Sequence, residues 1–136
     1  MPMTTRPSRA LPLLLAAGLA ALGAAQAAPP AELAARYAAE AGQPAAAVRG
    51  EQFFNARHGR EWSCASCHGA PPTQAGKHAA TGKAIGPLAP AFNPERFTDA
   101  AKVEKWFRRN CKDVAARECT AGEKADILAW LMALKK

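Results

Sequence analysis

The chain has 136 residues, a formal charge of +7, four cysteines and three histidines. That length suits one domain, and the absence of any arginine-rich or aromatic-interleaved run argues against a nucleic-acid binder. A moderate basic excess suits attraction to an acidic partner instead.

Residues 1–27 read as an export signal. Arg6 and Arg9 precede an apolar run from Leu11, and Ala25, Gln26 and Ala27 form the small-residue pattern of a signal-peptidase site. The run is shorter than the about 20 residues of a bilayer span and no stop-transfer pattern follows, so stable membrane insertion is not expected. Cleavage leaves residues 28–136 as a single periplasmic domain. Removing Arg6 and Arg9 from 18 basic residues leaves 16 against 11 acidic ones, a charge of +5. All four cysteines lie in this part, and an oxidising compartment demands a fate for each pair.

Ala31 to Gly42 has Leu33, Tyr37 and Ala41 at helical spacing and a glycine stop. Ala45 to Gly59 predicts a second helix with Val48, Phe53 and Phe54 on its apolar side, followed by "WSCASCHGA". Gly69 to Pro94 is rich in Gly, Pro, Ala and Thr and has neither helical nor strand period. A loop of that length wraps or binds something. Thr98 or Asp99 then caps a helix bearing Val103, Trp106 and Phe107. Thr120 and Glu123, at capping-box spacing, open a terminal helix. Its stripe is Ile127, Leu128, Leu131 and Leu134, and Lys135 and Lys136 suit its negative end. With no strand and no repeat, the expectation is an all-α domain with one long central loop.

Cys64, Cys67 and His68 form C-x-x-C-H, which in an exported protein reads as a c-type haem attachment site. One turn of chain presents both sulfurs to the two vinyl groups on one porphyrin edge, and the next residue can reach the iron as proximal ligand. A zinc site would need Cys111 and Cys119, whose separation is not that of a paired knuckle. A redox pair would need βαβ context, which is missing. Helices before the motif, a Gly/Pro loop after it and a terminal helix give the order of a class I cytochrome c. Gly50 and Phe54 then face Trp130 and Leu131 of the last helix. The Pro87 carbonyl is one candidate acceptor for the second ring nitrogen of His68; the other reading is that the prolines of "GPLAP" simply stiffen the loop.

The other face of the iron poses a problem. Ordinary class I cytochromes use a loop methionine, but the exported part has only Met132, inside the terminal helix. His78, His58, Lys77 and Lys83 are the remaining conventional donors, or the site is open. A disulfide between Cys111 and Cys119 would close a short loop. On the residues alone, Asn110 reads as a helix C-cap.

"CASCHG", "TGKAIGPLAP", "NPERFTDAAKVEKWFRRNC" and "ECTAGEKADILAWLMA" resemble the SHP (sphaeroides haem protein) family of oxygen-binding c-type cytochromes across essentially the whole exported part. The resemblance implies a class I-like fold around one covalent haem c, with His68 as proximal ligand and Asn110 as the ferric distal ligand. It also implies a Cys111–Cys119 disulfide and a dihaem cytochrome c as electron donor. An amide oxygen is a hard donor, matched better to ferric than to ferrous iron. Reduction should therefore loosen Asn110 and let dioxygen or another small diatomic bind, with reduction of such an oxidant as the activity it would support. Lys102, Lys105, Arg108, Arg109 and Lys112 form the expected docking face for an acidic redox partner. The alternative is a plain electron shuttle with permanently six-coordinate, for example bis-histidine, iron.

Overall fold

The computed structural model describes residues 29–136; the expected export signal, residues 1–27, lies outside them. Helix α1, Pro30–Ala41, starts on proline, where no N–H is needed. It stops where Gly42 turns left-handed at φ 65°.

Helix α2, Ala47–Asn55, is shorter at both ends than its apolar pattern predicts. At its start the Ala46 N–H donates to the Asp126 carboxylate at 2.6 Å, and Arg49 adds bonds of 2.7 and 2.9 Å to the same group. At its end His58 Nε2 donates to the Phe53 carbonyl at 2.9 Å, taking the acceptor that the next helical N–H would have used. The His58 ring also stacks on Phe53, with centroids 4.0 Å apart.

The five-residue α3, Cys64–His68, is the haem-type motif itself. Helix α4, Ala100–Ala115, is capped by the Asp99 side chain, which accepts from the Lys102 N–H at 3.0 Å. Helix α5, Ala121–Ala133, opens with the predicted Thr120/Glu123 capping box. Lys135 lies just beyond its end and donates to the Met132 carbonyl at 3.1 Å.

The expectation of no strand is corrected in one place. Gly76–Lys77 (β1) pairs antiparallel with Ala84–Ile85 (β2), Gly76 opposite Ile85. Two-residue strands are too short to show alternation, so composition alone hid this hairpin. The fold otherwise matches the expected all-α class I-like plan.

Helix α5 organises the interior. Ala125 and Leu128 join Leu33, Ala34 and Tyr37 of α1 and Val103 of α4 in one core cluster. Ile127, Trp130 and Leu131 join Phe54 of α2 in a second. The helix is thus buried on most sides instead of along one stripe, and Leu134 lies outside it. Contact with α2 is close, as expected, but Gly50 meets α5 backbone: a Cβ there would collide with the Asp126 carbonyl. Phe54 provides the aromatic contact, 4.9 Å from Trp130.

Phe97, just before α4, has φ 62°, a left-handed value that costs a non-glycine residue roughly 1–2 kcal/mol. Its ring packs against both clusters, and that burial offsets the strain. A half-buried network ties α4 to α1 and α5. Tyr37 donates its hydroxyl proton to Glu104, which also accepts from Lys124 at 2.8 Å.

Candidate haem-attachment site

The α3 turn is set by its own residues. The Ser63 hydroxyl accepts from the Ser66 N–H at 3.2 Å, and Ser66 Oγ accepts from the Ser63 N–H at 3.0 Å. This reciprocal capping holds Cys64 and Cys67 on one short helical turn, both half-buried and unpaired. Burial pushes the Cys64 thiol up to about 12, with a backbone hydrogen bond opposing and Cys67 adding. A thiol so reluctant to ionise is a poor redox nucleophile, which argues against the reactive-pair reading. Cys111 and Cys119, which a zinc site would have needed, are joined to each other instead.

His68 follows on the same turn. Burial holds its imidazole down at about 4, and the nearby charge of Arg96 adds to this, so the ring is neutral, as a metal ligand must be. Its Nδ1 is buried with no hydrogen-bond partner. The Phe54 ring lies 6.1 Å away, and Leu88, Phe97 and Phe107 pack on the core cluster that Cys64 and Ala65 also touch. Two thiols on one turn, a neutral imidazole and an apolar wall are the donor set and lining that haem c requires. The β1–β2 hairpin closes the other side. A Cβ at Gly76 would collide with the Cys67 carbonyl, and the Ala79 N–H points at Cys67 Sγ from 3.3 Å.

The Pro87 expectation is corrected. Its carbonyl accepts from Arg96 Nε at 2.8 Å and from Asn93 Nδ2 at 3.3 Å, while His68 Nδ1 receives nothing. Arg96 also donates to the Gly86 carbonyl at 2.7 Å. Neither Arg96 nor Asn93 was singled out by the sequence. They lie nine and six residues beyond Pro87, respectively, in a loop whose path no local pattern specifies.

Asn110 is not a C-cap. Helix α4 continues through it to Ala115, and Ala116 takes the left-handed cap at φ 59°. The helix persists because Cys111 and Val114 are buried in the turn that follows. Asn110 is half-buried, between that buried face and an exposed one. Of the three asparagines, Asn55 donates to the Glu51 carbonyl and Asn93 to that of Pro87. Asn110 has no such bond among the described residues. A disulfide joins the next residue, Cys111, to Cys119, with Cα atoms 5.6 Å apart.

The conventional donors are engaged elsewhere. Met132 packs on the α1–α4–α5 cluster. His58 is stacked and bonded at the end of α2. His78 is half-buried, not an exposed loop residue: its Nδ1 accepts from the Thr81 N–H at 3.2 Å inside the hairpin turn. Lys77 and Lys83 are exposed. The outer side of α4 carries Lys102, Lys105, Arg109 and Lys112, all exposed, with Trp106 45% exposed under the Arg109 guanidinium at 5.3 Å.

Residues 40–131 match a family described as a domain of unknown function, DUF1924. The chain is 52% identical over 125 residues to the cytochrome c-type protein SHP of Cereibacter sphaeroides, spanning 89% of this chain and 96% of that one. It superposes on a structure of oxidised SHP, an oxygen-binding cytochrome c, with TM-score 0.73 and 54% identity, covering 77% of this chain and 96% of the other. A solution structure of cytochrome c'' from Methylophilus methylotrophus, described as giving insight into haem-ligand detachment, aligns with TM-score 0.70 and 35% identity. That match covers 79% of this chain and 94% of the other.

Proposed function

We propose a redox-gated gas-binding role for this chain, which belongs to the SHP family of c-type cytochromes. As in that family, its haem c is covalently bound, and the single C-x-x-C-H motif assigns the attachment to Cys64 and Cys67. When bound, the haem supplies one-electron chemistry and an iron that takes small gases. His68 offers a neutral ring nitrogen as proximal ligand. Asn110 would offer its amide oxygen to the ferric state and would be released on reduction, because a hard neutral oxygen loses its preference as the metal softens. Cys111, bridged to Cys119, keeps Asn110 close enough to return on oxidation.

The observation that carries this reading is the idle amide of Asn110. Asparagine is a poor helix former whose side chain competes for backbone groups, yet this one sits inside a 16-residue helix without such a bond. The amide is not among the buried atoms and no structural hydrogen bond among the described residues holds it, so the side chain is free to serve as a ligand. The engagement of Met132, His58 and His78 elsewhere supports the same assignment. So does ligand detachment in the similar cytochrome c''.

Dioxygen binding, the property named for the similar SHP structure, is the function of the reduced state. Electrons arrive from a partner c-type cytochrome, a dihaem protein in this family, which docks on the basic outer side of α4. A periplasmic location is supported by the disulfide, which is characteristic of oxidising compartments.

Two spectra test the reading. The reduced protein should be high-spin and respond to carbon monoxide; a low-spin, unresponsive spectrum would return it to a plain electron shuttle. Asn110→Ala should convert the ferric centre to a five-coordinate or water-ligated form with the haem still attached. Unchanged ferric absorption and magnetic resonance would eliminate Asn110 as a ligand.

A further inference from the structure

We propose that Arg96 and Asn93 are positioning residues that withhold the Pro87 carbonyl from His68, leaving the proximal imidazole without a hydrogen-bond acceptor. This rests on the haem reading above, though not on the identity of the distal ligand. A backbone carbonyl has two lone pairs. At Pro87 both are in use, by Arg96 Nε at 2.8 Å and Asn93 Nδ2 at 3.3 Å. Arg96 is further fixed by its 2.7 Å bond to the Gly86 carbonyl, so the guanidinium clamps two consecutive loop carbonyls. Arg96 is near enough for its charge to act on His68, and His68 Nδ1 is buried and unpartnered.

A buried polar nitrogen without a partner carries its desolvation penalty uncompensated. Histidines that bind metals ordinarily donate their second N–H to a carbonyl, carboxylate or water, which fixes the ring and raises its basicity. Here the carbonyl that would serve as such an acceptor is occupied by two side chains, one of them the arginine whose charge reaches His68. A less basic imidazole donates less charge to iron, which favours the reduced state over the oxidised one. It also leaves ferric iron a stronger Lewis acid, able to hold as feeble a donor as an amide oxygen. Both effects suit a protein whose reduced form must persist long enough to meet a gas.

The test uses the holoprotein and three variants: Arg96→Lys, Asn93→Ala and the double variant. Lysine keeps the positive charge but loses the fork that spans the two carbonyls, so a Coulombic effect of deleting charge does not enter. Releasing the Pro87 carbonyl to His68 should move the ferrous iron–histidine stretching band to higher frequency. It should also lower the equilibrium constant for reduction by about tenfold in the double variant, the scale on which outer-shell bonds to ligating histidines act. Each single variant should shift in the same direction by less, so the singles decide the matter if the double variant does not fold. Band position and reduction equilibrium both unchanged, in variants with an intact c-type haem spectrum, would overturn the proposal. A wild-type protein whose reduced form is six-coordinate has no such band and contradicts the gas-binding reading; the reduction equilibrium then still decides this inference.

Discussion

Gly50 of α2 rests directly on the backbone of Asp126 in α5, with no space between them for a side chain. The same aspartate, 5% exposed, uses its carboxylate to anchor the start of α2 through Ala46 and Arg49. One residue of α5 therefore sets both how near α2 lies and where it begins. This crossing carries Phe54, whose ring lies between Trp130 and His68.

Gly50→Ala should accordingly destabilise the protein, although alanine is the better helix former by about 1 kcal/mol. Overpacking against backbone, which cannot rotate away, costs about 1–3 kcal/mol. A net loss of about 1–2 kcal/mol in urea unfolding is expected, with the haem environment around Phe54 perturbed. An unchanged or raised midpoint would show that the helices separate at no cost.

Replacing Cys111 and Cys119 together by serine opens a loop whose ends are eight residues apart. Loop entropy assigns that closure about 2–3 kcal/mol. Stability should fall by that amount. If Asn110 is the ferric ligand as proposed, return of the ferric spectrum after reoxidation should also slow, because the helix end beyond Asn110 is no longer tied. Equal reoxidation rates in both proteins would separate the disulfide from the site.

Stability should fall in acid in a defined way. For Glu104 burial raises the carboxyl, but the hydrogen bonds from Lys124 and Tyr37 outweigh it and hold the group below its ordinary 4.5. Glu123 is depressed chiefly by its hydrogen bond from Arg117, with burial opposing. Both groups bind protons less readily folded than unfolded. Their contribution is complete above about 4.5 and is lost as pH falls through the depressed folded values. Urea midpoints measured from about pH 6 to about pH 3 should drop, and the Glu104→Gln, Glu123→Gln double variant should flatten that drop.

Electron transfer from an acidic donor should slow as ionic strength rises, since attraction between exposed charges is screened within about 10 Å at 0.1 M salt. Among the described residues Arg108 alone of the α4 cluster has an ion pair, a loose one with Glu118 at 3.8 Å. Lys105→Glu with Arg109→Glu should lower the association rate at least tenfold at low salt and abolish its salt dependence. Trp106→Ala should raise the dissociation rate instead, since an exposed aromatic beside an arginine is a typical interface anchor. Rates insensitive to all of these would move the docking face off α4.

Helix ends show what was legible in the chain itself. Asp99, Gly42 and the Thr120/Glu123 box act on residues within one turn, so their effect is written locally. The C-x-x-C-H turn is likewise local, and its chemistry follows from spacing alone. Family resemblance singled out Asn110, but its place inside α4 was not legible. Its C-cap reading failed because burial of Cys111 and Val114 carries the helix on to Ala115.

What only the tertiary structure decided depends on partners far apart in sequence. Asp126 meets Ala46 and Arg49 across 80 and 77 residues, which trims α2 from the length its pattern suggests. The Pro87 carbonyl goes to Arg96 and Asn93 and not to His68, a competition among three donors that spacing cannot rank. By itself the sequence determined which atoms would hold a haem, because those atoms are neighbours on one turn. The packing decided where the Pro87 carbonyl goes, because its partners lie on a loop whose course is settled only when the chain has closed around it.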